Sequence, residues 1–190
     1  MGKKLSVLTL FACTLCFVGS VVYAYYGVFI EGFDVVKEMY WYSGIFGLLF
    51  LHVSMIFSLS ASFLSSVFCK KASWFFGMYG ALWAFAHAGV FFAFGKDWSV
   101  YRVWQELKPF EAYGMLACGI VLLMFLSSFK LFVWLGFCRK LFIVAVAFGS
   151  YHYFLSAKVP SLWEYTALVM SGLYALCVLC GVLLRKKNAR

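Results

Sequence analysis

Charge is what this sequence has least of. Of its 190 residues only 12% are Asp, Glu, Lys or Arg, and just 7 are acidic. A soluble domain of this size carries roughly 25% charged residues. A chain that is 65% apolar would expose large apolar patches in water, which soluble monomers avoid. A soluble enzyme and a disordered tail are both excluded. Internal repeats, low-complexity tracts and a glycine-rich phosphate loop are missing as well. The longest connection between apolar runs, residues 95–110, is sixteen residues, whereas independent domains begin near ~50 contiguous residues. No nucleotide, flavin or substrate domain fits, so any chemistry sits inside the apolar part or is shared with another protein. The net charge of +9 comes without a basic face or an RNA-binding signature, so no nucleic-acid partner is expected.

What is present is six apolar stretches, read as residues 5–30, 40–64, 75–94, 111–129, 141–157 and 164–184. Each is near the ~20 residues that cross ~30 Å of hydrocarbon at 1.5 Å per residue. Backbone polar groups in a bilayer must bond internally, so the stretches should be helices. Barrel strands would be ~10 residues long with alternating polarity, and that pattern is absent. The expected fold class is therefore all-α: a single polytopic domain over residues 1–190, a bundle of six transmembrane helices.

Charge then assigns the two sides. The N-terminus, residues 65–74, residues 130–140 and the C-terminus hold Lys3, Lys4, Lys70, Lys71, Lys130, Arg139, Lys140, Arg185, Lys186, Lys187 and Arg190, with no carboxylate. The other side holds five cations and all seven acids: Glu31, Asp34, Glu38, Asp97, Glu106, Glu111 and Glu164. Cytoplasmic loops are enriched in Lys and Arg, which predicts both termini in the cytoplasm. An odd number of spans would spoil the partition. The first span has a rival reading as a signal peptide, because Lys3 and Lys4, an apolar run and Val22-Tyr23-Ala24 resemble one with a cleavage site. The apolar run continues through Tyr25 to Ile30, which favours a retained helix.

Three ionisable residues stand inside the spans: His52, His87 and His152. Counted from the inner helix ends, all three are expected ~17–18 Å deep, in one layer. Intramembrane ionisable groups are costly and usually face the bundle interior or a cofactor. Neutral imidazole can ligate iron without bringing charge into the bilayer. Two such ligands could hold a haem edge-on to the membrane. Gly80 and Ala84 share the His87 face, and Ala145 and Gly149 share the His152 face, leaving room for a flat macrocycle. The same small residues could equally serve close helix packing. His52 has bulky Leu48 and Met55 beside it, and is read as a substitute ligand, a hydrogen-bond donor to a quinone, or packing. A cofactor-free scaffold or small transporter with a histidine knot is the alternative.

Two Cys-x-x-Cys pairs, Cys13/Cys16 and Cys177/Cys180, lie within apolar spans, and the outer loops hold no cysteine. Buried thiols acting as small hydrophobes are expected rather than a redox or zinc centre. Tyr40, Trp41, Tyr42, Trp98, Tyr101 and Trp163 flank outer span ends, where such rings anchor a protein at the interface. The 95–110 loop, with mixed charges and Trp98 and Trp104, is the best footprint for an outer-side partner.

Several segments carry a family resemblance. The run from Gly77 to His87, with its ten-residue Gly-to-His interval, resembles the third-helix motif of a haem b family. That family is the haem-binding membrane subunit of the bacterial periplasmic methionine sulfoxide reductase system, within the ferric-reductase-like transmembrane superfamily. Tyr42-Ser43-Gly44 and the segment Leu107 to Phe110 resemble it too. Ser150 to Lys158 resembles the family's fifth-helix ending, His-Tyr-Leu-Trp-Ser-x-Lys. The likeness covers roughly residues 37–185. It implies a b-type haem between His87 and His152 in a bacterial inner membrane, passing electrons to a periplasmic oxidoreductase. The family carries a further histidine thirteen residues before the fifth-helix ligand, expected to serve a second haem; here that position is Arg139. A guanidinium offers no lone pair to a metal, so one haem is expected, in the outer half. Ser73-Trp74 likewise replaces a basic pair. A single haem leaves a long gap to the cytoplasm, which favours a membrane quinol over a separate cytosolic reductase as donor. Arg139 is expected to snorkel to lipid, with a haem propionate as the other partner its charge allows.

Overall fold

The computed structural model describes residues 2–64 and 66–188. Arg190, counted above among the inner cations, lies outside them, as do the side chains of Lys3, Lys4, Lys130, Arg185, Lys186 and Lys187. Every regular element among the described residues is helical. Among the described residues, six helices are long and apolar enough to cross a membrane: Ser6–Glu31, Val35–Leu64, Val67–Gly95, Pro109–Leu126, Trp134–Ser156 and Leu162–Gly181. The chain divides into two compact units, Met1–Leu107 and Lys108–Arg190.

The first unit contains α1 (Gly2–Tyr26), α2 (Val35–Leu64), α3 (Val67–Val90) and the short α4 (Val100–Gln105). Both α1 and α3 widen into a π-helical turn at their ends, Gly27–Glu31 and Phe91–Gly95. The third span starts eight residues earlier than its apolar run predicts. Lys70 and Lys71 are already helical, because Ser66 caps the helix by accepting a bond from the Cys69 amide at 3.3 Å. Hydropathy reports hydrocarbon thickness and is blind to helix that continues into water. At 30 residues, α2 is about 45 Å long and must overhang a ~30 Å core.

The α2–α3 pair is an antiparallel hairpin with a tight register. Gly44 faces His87, Gly47 the backbone of Trp83 and Ala84, Leu51 Gly80, and Ser54 Gly77. Steps of three and four along α2 are matched by equal steps backwards along α3. Glycine recurs because the two backbones approach closely there. Ser54 Oγ also donates to the Ser73 carbonyl at 2.7 Å. A stripe of small and polar residues on α1 (Thr9, Cys13, Ser20 and Ala24) is buried. Phe17 stacks on Tyr79 with ring centroids 4.6 Å apart, Thr14 Oγ1 and the Tyr79 hydroxyl share a bond of 2.6 Å, and Trp83 Nε1 donates to Ser20 Oγ at 3.0 Å. Thus α1 docks through polar pairs as well as rings.

Beyond the second π turn, Asp97 and Trp98 both adopt left-handed backbone, φ 48° and 57°, which non-glycine residues rarely do. The turn is held by Trp98 N–H donating to the Phe92 carbonyl at 2.8 Å and by an Arg102–Asp97 ion pair. Lys96 is buried, with its ammonium 3.5 Å from a Glu106 carboxylate oxygen. Trp98 and Trp104 are exposed.

The second unit contains α5 (Pro109–Leu126), α6 (Phe142–Ser156) and α7 (Leu162–Asn188). Pro109 opens α5 where its missing N–H costs nothing. Residues Lys130–Leu141 form a 3-10 segment broken at Phe132, so the fifth span begins at Trp134 rather than 141. Arg139 does not extend away from the protein: its Nη2 donates to the Ser127 carbonyl at 2.7 Å and its Nε to Ser127 Oγ at 3.3 Å. A cation at the last carbonyls of α5 complements the negative end of that helix. All seven cysteines are free thiols. Cys13, Cys69 and Cys138 are buried, whereas Cys16, Cys177 and Cys180 are exposed. The two Cys-x-x-Cys pairs are therefore not buried pairs: the first is split between faces, and the second lies wholly on an exposed face. An apolar surround accepts a thiol on either side.

Candidate functional site

Each unit holds one imidazole clasped by a neighbouring helix. In the first, His87 of α3 points its Nδ1 at the main-chain oxygen of Tyr40 and at Ser43 Oγ, both 3.2 Å away on α2. The Ser43 hydroxyl spends its hydrogen on the Met39 carbonyl at 2.5 Å, so towards His87 it accepts. A carbonyl can only accept. Nδ1 must therefore carry the proton, and the ring lone pair is on Nε2. The Tyr40 ring meets the imidazole edge-on, centroids 5.8 Å apart at 82°.

In the second unit, His152 of α6 points its Nδ1 at the main-chain oxygen of Phe110 on α5, 2.7 Å away. The Phe110 ring lies along the imidazole, centroids 6.0 Å apart at 28°. The tautomer is again Nδ1–H, with the lone pair on Nε2.

His52 differs. Its Nδ1 bonds the Leu48 carbonyl of its own helix at 2.9 Å. The hairpin register also moves it out of the predicted layer. His52 is eight residues along α2 from Gly44, the residue that faces His87, which is about 12 Å of helix. Counting from the ends of apolar runs set the two histidines level because it ignored how far each helix overhangs.

The small residues expected to clear a space beside His87 serve something else. Gly80 is filled by Leu51, and Ala84 receives Gly47, so that face is the α2–α3 contact. On the His152 face, Ala145 is fully buried and Gly149 half-buried. The glycines that do touch the rings are on the partner helices. A side chain at Gly44 would meet the His87 ring at 3.1 Å, and one at Gly114 the His152 ring at 2.8 Å. Gly44 stood in a motif already singled out; Gly114 did not, nor did the Tyr40 and Phe110 carbonyls. Sequence carries only a faint sign of them, an aromatic residue followed four later by glycine at the start of the helix that precedes each histidine helix. The spacing alone singles out nothing: an aromatic residue four before a glycine occurs seven times in the chain, Tyr40/Gly44 and Phe110/Gly114 among them.

No protein-family model, curated protein or solved structure matches the chain. Its function is therefore argued from the site.

Chemically, each clasp does what a metal-ligating histidine requires: a main-chain oxygen holds one ring nitrogen as N–H, orienting the ring and making the other nitrogen a better donor. Taken singly, each neutral imidazole is a ligand that the iron of a b-type haem accepts. It fits a hard cation poorly, since carboxylates or carbonyls would be wanted.

Proposed function

We infer that this protein is a haem b-binding transmembrane subunit for electron transfer, with His87 and His152 as the axial ligands. The observation that carries the reading is the repeated clasp: two histidines on two hairpins, each held by Nδ1 on a neighbouring helix's main-chain oxygen. A structural histidine needs one satisfied hydrogen bond; two identically prepared Nε2 donors are what a six-coordinate iron uses. When bound, the haem supplies reversible one-electron chemistry at its iron. The chain's own residues do the rest. Tyr40, Ser43 and Phe110 orient the rings, and the apolar helices keep water and ions away from them.

One haem per chain is proposed, because Arg139 stands where a second ligand would be and is committed to the α5 terminus. Both ends of the chain face the cytoplasm of a bacterial inner membrane in this reading, as the basic partition favours. Electrons come from a quinol or a separate reductase. They leave to an outer-side oxidoreductase, of which a periplasmic methionine sulfoxide reductase is the instance the sequence resemblance favours. The exposed Trp98 and Trp104 are on the loop assigned to that side. Substrate chemistry belongs to the partner.

Absorbance tests the reading. Protein expressed with ample haem and purified in mild detergent should give a reduced-minus-oxidised b-type band, one haem per chain, lost in both His87→Ala and His152→Ala. No band in the unaltered protein would favour a scaffold or transporter instead. Two haems per chain would overturn the single-site assignment.

A further inference from the structure

The two clasps share more than their acceptors. Tyr40 and Gly44 are four apart on α2; Phe110 and Gly114 are four apart on α5. In a helix the carbonyl of residue i bonds the amide of i+4, and the Cβ of i+4 leans back over that carbonyl. Oxygen has two lone pairs, but the second is ordinarily shielded by that side chain. Glycine at i+4 removes the shield. The imidazole then lies where the missing Cβ would be and donates Nδ1–H to the second lone pair of residue i. The distances agree: the ring atoms facing Gly44 and Gly114 come to 3.1 and 2.8 Å of a Cβ position, and the same rings reach the Tyr40 and Phe110 oxygens at 3.2 and 2.7 Å.

We propose that Gly44 and Gly114 are equivalent positioning residues, each opening a helix carbonyl so that the facing histidine is locked as the Nδ1–H tautomer with Nε2 as the metal donor. In its bearing on haem this rests on the reading above; the tautomer itself is a property of the haem-free chain. The two positions are not equally tight. Nothing real sits at 2.8 Å from a Cβ, so alanine at 114 must displace the His152 ring and break its bond. Alanine at 44 needs only a few tenths of an ångström, and Ser43 Oγ offers His87 a second acceptor. Other glycines on these elements are built differently: a side chain at Gly89 or Gly119 meets nothing within 4 Å.

The chain has 3 histidines, so selective ring ¹⁵N labelling of the haem-free protein in detergent gives a spectrum simple enough to read tautomers residue by residue. In the unaltered chain His87 and His152 should both be Nδ1–H. Gly114→Ala should convert His152 to a mixture or to the Nε2–H form, and Gly44→Ala should shift His87 by less. Gly89→Ala and Gly119→Ala should move neither. In haem-loaded protein the same order should appear as retention, with about a ten-fold loss for Gly114→Ala if one such hydrogen bond is forfeited. Ring signals unmoved by both alanines would overturn the proposal, as would Nε2–H at His152 in the unaltered chain. Should the alanine variants not fold, the unaltered chain decides: Nε2–H at either His87 or His152 would count against the clasp. Tautomers that respond as described in a protein that takes up no haem would uphold the glycine role and sink the haem reading instead.

Discussion

The Nδ1 of His152 and the main-chain oxygen of Phe110 are 2.7 Å apart although 42 residues separate them in sequence. The acceptor is backbone, so it survives any change of the Phe110 side chain. Phe110→Leu removes the ring that lies along the imidazole and keeps the carbonyl. The His152 tautomer should be unchanged, and haem retention should fall only about three-fold, the size of one aromatic contact. A ring ¹⁵N spectrum and a haem-transfer titration check the two halves separately.

His52 should be dispensable for colour. Its Nδ1 bonds a carbonyl of its own helix, and it lies about 12 Å along α2 from the His87 clasp. His52→Leu fills similar volume and removes one polar group, which should cost no more than about 1 kcal/mol of stability. The b-type band should persist. Thermal unfolding in detergent followed by absorbance tests this, and loss of the band would transfer a ligand role to His52.

The polar pairs that dock α1 should contribute measurably. Thr14→Val and Ser20→Ala each remove an interhelical hydrogen bond, for about 0.6 kcal/mol apiece and at most about 1.7 kcal/mol. Phe17 meets both Tyr79 and Trp83, so the two effects should couple rather than simply add. Intact mass together with unfolding temperature checks this. If α1 were removed on maturation, the mass would reveal it and neither substitution would change the mature protein's stability.

How much of this was legible in the sequence follows from what hydropathy measures. The number of spans and the helical class were readable, since a bilayer demands apolar length and internal hydrogen bonding. Helix ends were not: Lys70 and Lys71 look like a loop, yet they belong to a helix capped by Ser66. His87 and His152 were readable as rare ionisable groups in apolar runs. The level of His52 relative to His87 was not, because depth depends on hairpin register and register is a property of two helices together. Gly80 looked like space for a cofactor and is space for Leu51. Gly114 left no more than a spacing shared with other glycines, since a glycine contributes neither hydropathy nor charge and acts only through what it does not cover.

The division of the chain at Leu107 and Lys108 bears on how such a protein comes to be made. Each histidine finds its acceptor on the helix just before its own, 47 and 42 residues away, so each ring is oriented within its own unit. During synthesis the first donor can be set while the second half is still on the ribosome, and the second can follow without waiting for a distant partner. On the proposed haem reading, cofactor uptake would be the capture of ligands already oriented, with no folding of the backbone left to drive.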